Sequence, residues 1–202
     1  MSRVTGLRKA GAAVAVELDG EPWRRLPAEV VLGCGLRTGV ELNRRRLRRI
    51  RSGLRRVEAL EIAARLLRHR DLSAARLVKG LARRGIAPAV RTEAVRSLTR
   101  AGLVDDVRAA AARARALAER SRGDAAISWR LEQEGFTEEA VVEALAALDP
   151  ERERAQAVVD REGLSPRTLR RLSTSGFSAE TLEGLMSVAG ERPPAVGYVR
   201  FI

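Results

Sequence analysis

The sequence predicts an all-α protein: three tandem three-helix modules in an elongated array, preceded by a small N-terminal hairpin and short helices. Three observations carry this. The 202-residue chain is 45% hydrophobic but only 3% aromatic, so its core is built from Leu, Val and Ala. Ala, Leu, Arg and Glu head the helix-propensity scale, and a sheet-rich chain would carry more aromatic and β-branched residues. The glycines at 85, 135 and 176 sit in one recurring local pattern.

The N-terminal elements come first. Val14, Val16 and Leu18 alternate with other residues, the period of a strand. Asp19-Gly20 follows as a type I′ turn signal, and Glu21 to Leu26 returns as a short second strand. Pro22 confines that strand to a sheet edge, because it cannot donate to a ladder. Pro27 suits the first turn of a short helix over residues 27–33, ended by Gly33 or Gly35. Asn43 is the N-cap of the next helix, in which Leu47, Ile50, Leu54 and Val57 fall at helical spacing. Gly53 weakens its middle by roughly 1 kcal/mol relative to Ala and divides it into two helices.

The repeat then takes over. Leu81, Leu131 and Leu172 stand four residues before the three glycines. Ile86, Phe136 and Phe177 stand one after them, and Ala87, Thr137 and Ser178 two after. Val95, Leu145 and Met186 share a later offset. A helix ends at a glycine able to turn left-handed, an apolar residue packs back on it, and a capped helix begins at once. One further helix precedes each copy, at 56–69, 107–120 and 151–162. The copies lie 50 and 41 residues apart, which suits tandem small bundles better than a strict solenoid. The expected organisation is a basic N-terminal cap (1–56), modules at 57–106, 107–149 and 150–189, and a tail (190–202). In that tail Pro193-Pro194 stops the helical pattern, and Tyr198, Val199, Phe201 and Ile202 form an apolar end.

Charge points to the class of partner. The net charge is +12, of which residues 1–57 carry +9, residues 58–106 carry +4, residues 107–149 carry −2 and residues 150–202 carry +1. A GC-rich genome is an alternative source of so Arg- and Ala-rich a chain, but it does not explain the asymmetry. A basic front half fits a polyanion met mainly from one end, and the arginine fork suits phosphate and carboxylate. Arg44, Arg45, Arg48 and Arg51 crowd the helix after Asn43. Arg76, Lys79 and Arg83 share a face of the second helix of module one. Arg167 and Arg170 stand at the offsets from Gly176 that Arg76 and Lys79 hold from Gly85. Module two has Ala126 and Trp129 there, with Arg122 just upstream, and Trp129 falls at the edge of the Ile127–Leu131 core stripe.

The residue inventory argues against catalysis. Cys34 is the single cysteine and His69 the single histidine, so a disulfide or a cysteine-based metal site within the chain is ruled out. Cys34 reads as a small buried hydrophobe and His69 as a helix C-terminal cation. Asp105 and Asp106 read as an N-cap and a favourable charge at a helix start. There is no glycine-rich phosphate loop with lysine. The expectation is no catalytic residue, no cofactor, no small-molecule substrate and no membrane span. With no signal-peptide pattern, the expected location is cytoplasmic.

Gly102-Leu103-Val104-Asp105-Asp106, then Ser121-Arg122-Gly123, Ile127, Leu131, Gly135 and Phe136, together resemble the RecX regulatory family. The Val-Glu-Leu-Asp-Gly segment and Leu36 to Leu42 are similar to that family's N-terminal region. The resemblance covers roughly residues 12–186. It implies three tandem three-helix repeats and a monomer that lies in the groove of the RecA filament. It implies that the chain modulates, as an inhibitor, filament growth, strand exchange and the linked ATPase in recombinational repair and the SOS response. Two features depart from the pattern. Val107 stands where the family has an aromatic, and the helix after Asn43 is strongly basic rather than mixed or acidic. The second departure implies more weight on DNA, single-stranded or within the filament. Arg44, Arg45, Arg48, Arg51, Arg76, Lys79, Arg83, Arg122, Arg167 and Arg170 are the candidate RecA or DNA contacts. The alternative is a protein that acts on DNA alone through its basic N-terminal helix.

Overall fold

The computed structural model describes residues 2–68 and 70–191, with side chains through residue 187. His69 and the apolar tail residues therefore lie outside the described residues. The chain divides into two compact units, Met1–Leu72 with Arg76–Val104, and Ser73–Ala75 with Asp105–Ile202.

The first unit corrects the expected hairpin. Strands β1 (Ser2–Ala10), β2 (Ala13–Leu18), β3 (Glu21–Pro27) and β4 (Glu41–Leu42) form an antiparallel sheet in the order β3-β2-β1-β4. The chain is thus mostly helical but not all-α. β1 escapes a reading by alternation because Gly6 and the Arg8-Lys9 pair interrupt it, and Val4 is its one fully buried side chain. Its pairing with β2 shifts register between Val4 and Gly6. A Cβ at Gly6 would meet the Glu17 carboxylate at 2.2 Å, so a side chain there would make the Glu17 side chain turn away from the bulge. Asp19 (φ 52°) and Gly20 (φ 90°) make the β2–β3 turn, and the Asp19 carboxylate accepts the Arg3 N–H at 2.8 Å. β3, with Pro22, lies at the sheet's edge.

Helix α1 (Ala28–Gly33) follows Pro27 directly, and α2 spans Arg44–Leu67. The Asn43 side chain accepts the Arg46 N–H at 2.9 Å and caps α2. α2 is one helix, not two. Gly53 does not break it because the missing side chain serves packing: a Cβ there would meet Val30 of α1 at 3.3 Å. Val4, Val16, Leu26, Val30, Val31, Cys34, Leu36, Leu42 and Ile50 form the core between sheet and helices. Helices α3 (Ala74–Ala82) and α4 (Pro88–Arg100) follow, with α4 packed on α2.

The second unit holds α5 (Asp106–Ala118), α6 (Asp124–Gln133), α7 (Glu138–Ala146), α8 (Glu151–Glu162), α9 (Pro166–Thr174) and α10 (Ala179–Glu191). Ala109, Ala110, Ala114, Ala140 and Ala144 let α5 and α7 approach closely around Ile127, Leu131 and Phe136. Val158, Leu172, Phe177 and Leu185 form the next core.

The recurring glycine turn has one geometry in all three places. Ile86, Phe136 and Phe177 each donate their N–H to Leu81, Leu131 and Leu172 at 3.2 Å. The glycines between them have φ of 77°, 80° and 87°. This is the Schellman ending, in which a left-handed glycine and the following apolar residue close the helix. The start of the neighbouring second helix meets this turn. Ser73 Oγ donates to Glu134 O at 2.6 Å, and the Gly123 N–H donates to Ser175 O at 3.0 Å. A carboxylate at the first position of the following first helix completes each joint. Asp106 accepts the Ala74 N–H at 2.8 Å, and Glu151 accepts the Asp124 N–H at 2.7 Å.

Candidate protein and nucleic-acid interface

α2 positions the most concentrated charge in the chain. From Leu42 to Val57 there are eight arginines and no acidic residue. Ile50, Leu47, Leu54 and Val57 turn one side of the helix into the sheet-side core. At 100° per residue, that choice leaves Arg44, Arg48, Arg51 and Arg55 in one row on the helix's flank, roughly 110° round from the core stripe, with Arg45 beside it, and all five are exposed. At 1.5 Å per residue the row is roughly 16 Å long. Among the described residues no carboxylate pairs with any of the five.

The remaining arginines of this segment are tied to the protein itself. Arg46 donates to Glu41 O at 2.7 Å, Arg49 to Gly33 O at 3.0 Å, and Arg56 to Ser97 Oγ at 3.2 Å. Arg49, Ser52 and Arg56 line a groove between α1 and α2. Sequence periodicity alone did not assign them this role, since only the docking of α1 on Gly53 places them there.

The module residues are placed separately. Lys79 and Arg83 are exposed and Arg76 is half-buried in the first unit. Arg167 and Arg170 are exposed on α9 and Arg122 is exposed before α6 in the second. The matching offsets thus become matching positions on the second helices of two modules. Trp129 is 59% exposed, further out than a core-edge position. The Arg122 carbonyl accepts from Arg154, which also pairs with Asp124.

The acidic side chains have structural tasks. The Asp105 carboxylate caps α5 by accepting the Arg108 N–H at 3.0 Å. Glu134, 9% exposed, pairs with Arg113 and Arg130, both at 2.9 Å. Burial alone would push the Glu151 carboxyl up. Hydrogen bonds from the Ser178 hydroxyl, the Asp124 and Ser178 N–H groups and the Thr181 hydroxyl outweigh it and hold the group below its ordinary value. Cys34 is buried. Among the described residues no three His, Cys, Asp or Glu side chains converge as metal ligands, and no helix is long and apolar enough to cross a membrane.

No protein-family model and no curated protein sequence matches the chain. Solved structures do. A crystal structure of the regulatory protein RecX superposes with a TM-score of 0.79 at 20% identity, covering 93% of this chain and 100% of that one. RecX from Lactobacillus salivarius superposes with a TM-score of 0.59 at 17% identity, covering 68% of this chain and 98% of that one. With the sheet, the capped basic helix and the three glycine turns in place, the chain has the RecX fold.

Proposed function

We propose that this protein is a RecX-type regulator that binds the RecA filament on DNA and restrains its growth, strand exchange and ATP hydrolysis. The observation that carries the reading is the likeness to a RecX structure along nearly the whole of both chains. The cationic positions repeated on α3 and α9 support a surface that meets an acidic partner at more than one module. Arg76, Lys79 and Arg83, with Arg122, Arg167 and Arg170, are the residues assigned to RecA. The protein acts as a cytoplasmic monomer and does no chemistry of its own.

Co-sedimentation with RecA–DNA filaments at moderate salt tests this directly. The protein pellets with RecA if the reading holds; retention in the supernatant while RecA pellets overturns it. RecA's DNA-dependent ATPase, measured with DNA in excess, separates filament binding from competition for DNA. A regulator keeps its effect under those conditions and a competitor loses it.

The unpaired row on α2 favours a second contact, with the phosphate backbone of DNA. Five exposed guanidinium groups along roughly 16 Å of helix match a polyanion better than a single carboxylate. Such contacts release counterions and make affinity fall steeply with salt.

A further inference from the structure

We propose that the groove between α1 and α2 binds an extended acidic peptide segment carrying one apolar side chain as its anchor. This does not rest on the RecA reading, since it uses neither the module surfaces nor any feature of the filament.

The groove is a cavity of about 340 Å³. Val30, Cys34, Gly53 and Val57 make its apolar floor. It exists because Gly53 carries no side chain and lets α1 rest on α2 through Val30. Arg49 and Arg56 stand on the α2 rim and Glu29 on the α1 rim. Arg49 and Ser52 also line a second depression with Arg45 and Arg48, so the cationic rim continues along the helix. Leu32, one turn on from Glu29, is 80% exposed and adds apolar surface on α1.

The dimensions and chemistry select the occupant. From Arg45 to Arg56 the rim is roughly 16 Å long, about five residues of extended chain. A small anion would engage only one or two of these arginines. The floor is aliphatic and offers bases no aromatic face, so a nucleic acid would be held here by its phosphates alone and would leave the floor empty. Glu29 repels any anion set beside it, but a peptide, unlike a phosphodiester, brings a backbone N–H that its carboxylate can accept. A peptide with Asp or Glu flanking one Leu meets all three elements: its carboxylates face the arginines, its Leu fills the floor, and a backbone amide reaches Glu29.

The test is fluorescence anisotropy with the full chain and a labelled peptide of Asp and Glu around a single Leu. Its Leu→Ser counterpart and an oligothymidylate serve as competitors. Burying one aliphatic side chain should make the Leu peptide bind about tenfold tighter than the Ser peptide. Ser52→Trp should plug the groove without removing charge, and the Arg45→Gln/Arg49→Gln pair should weaken the rim. Each should lose about tenfold. Arg115→Gln/Arg120→Gln, which removes as much charge elsewhere, should stay within about twofold. Circular dichroism of each variant confirms that it is folded. Equal binding of both peptides would reduce the effect to general charge attraction and overturn the proposal. So would an oligothymidylate that displaces the peptide and loses its own binding in Ser52→Trp, since the groove would then be a nucleic-acid site. Absence of peptide binding overturns it outright.

Discussion

Gly123→Ala sets local preference against packing, and the two predict opposite signs. Gly123 caps α6 with φ −78° and ψ 168°, a conformation alanine adopts freely. On backbone entropy alone, the substitution should stabilise the protein by about 0.4–1 kcal/mol. The joint says otherwise. A Cβ at 123 would sit 2.2 Å from Gly176 O and 2.2 Å from Phe177 N. Both are backbone atoms, so relief requires the α9–α10 turn to move off the start of α6. That movement stretches the Gly123 N–Ser175 O and Ala125 N–Gly176 O bonds, now 3.0 and 3.3 Å. Two backbone hydrogen bonds contribute about 0.5–1.5 kcal/mol each, and overpacking adds roughly 1–3 kcal/mol. The net expectation is a loss of about 1–5 kcal/mol after the entropic gain is subtracted. Urea unfolding in a Trp23→Phe background, so that tryptophan emission comes from Trp129 in the same unit, measures it alongside far-UV circular dichroism. A midpoint that stays put or rises would refute the claim that these turns are joints between helices.

The companion variant is Gly85→Ala. Unlike Gly123, Gly85 is left-handed, with φ of 77°, and nothing lies within 4 Å of the added Cβ, so the change should cost only the left-handed penalty of about 1–2 kcal/mol. A larger loss would mean that this turn has an unseen partner. Glu151→Gln should remove part of the acid sensitivity. The native carboxyl is held below its ordinary 4.5, so its stabilisation is fully present above that pH and is lost as pH falls through the lower, folded value. The variant should be less stable near neutrality, and its midpoint should fall less steeply below pH 4.5; parallel curves would contradict the assignment. Replacing Arg44, Arg45, Arg48 and Arg51 with Gln should lower affinity for free DNA alike across sequences and shrink the log–log salt slope by up to about three units. An unchanged slope would mean that the row is a solvated or protein-facing surface.

What the sequence discloses here follows from the range of the interactions. The glycine turns are legible because each is closed within six residues: Leu131 and Phe136 suffice to write one, and the left-handed φ of Gly135 follows. The Asn43 cap and the Asp19-Gly20 turn are equally local. β1 is not, because its evidence is its partners: Gly6 and Arg8-Lys9 spoil its alternation, and pairing with β2 and β4 makes it a strand. Gly53 misleads for the related reason that its local cost is visible while its contact with Val30, 23 residues away, is not.

The joints show how the two ranges combine. Gly135 and Gly176 each have a local reason to be glycine, shared with Gly85. They have a second reason that Gly85 lacks, since Ala75 and Ala126 would lie 3.0 and 2.5 Å from their Cβ atoms. The small residues at those two helix starts are therefore the partners of glycines 60 and 50 residues further on. Asp106 and Glu151 fit the same logic, because each caps a helix that began 32 or 27 residues earlier. The proposed partner surfaces depend on this construction. Arg167 and Arg170 project from α9, whose last turn is fixed against α6 through Gly176, so loosening that joint should disturb a partner contact without touching a charged side chain. Gly123→Ala therefore carries a functional expectation beside its stability cost. At a temperature where it remains folded, it should weaken co-sedimentation with RecA filaments while leaving unchanged the salt slope for free DNA, which we assign to α2 in the other unit. A variant that lost both together would place the DNA contact outside α2, and one that lost neither would detach the module surfaces from RecA binding.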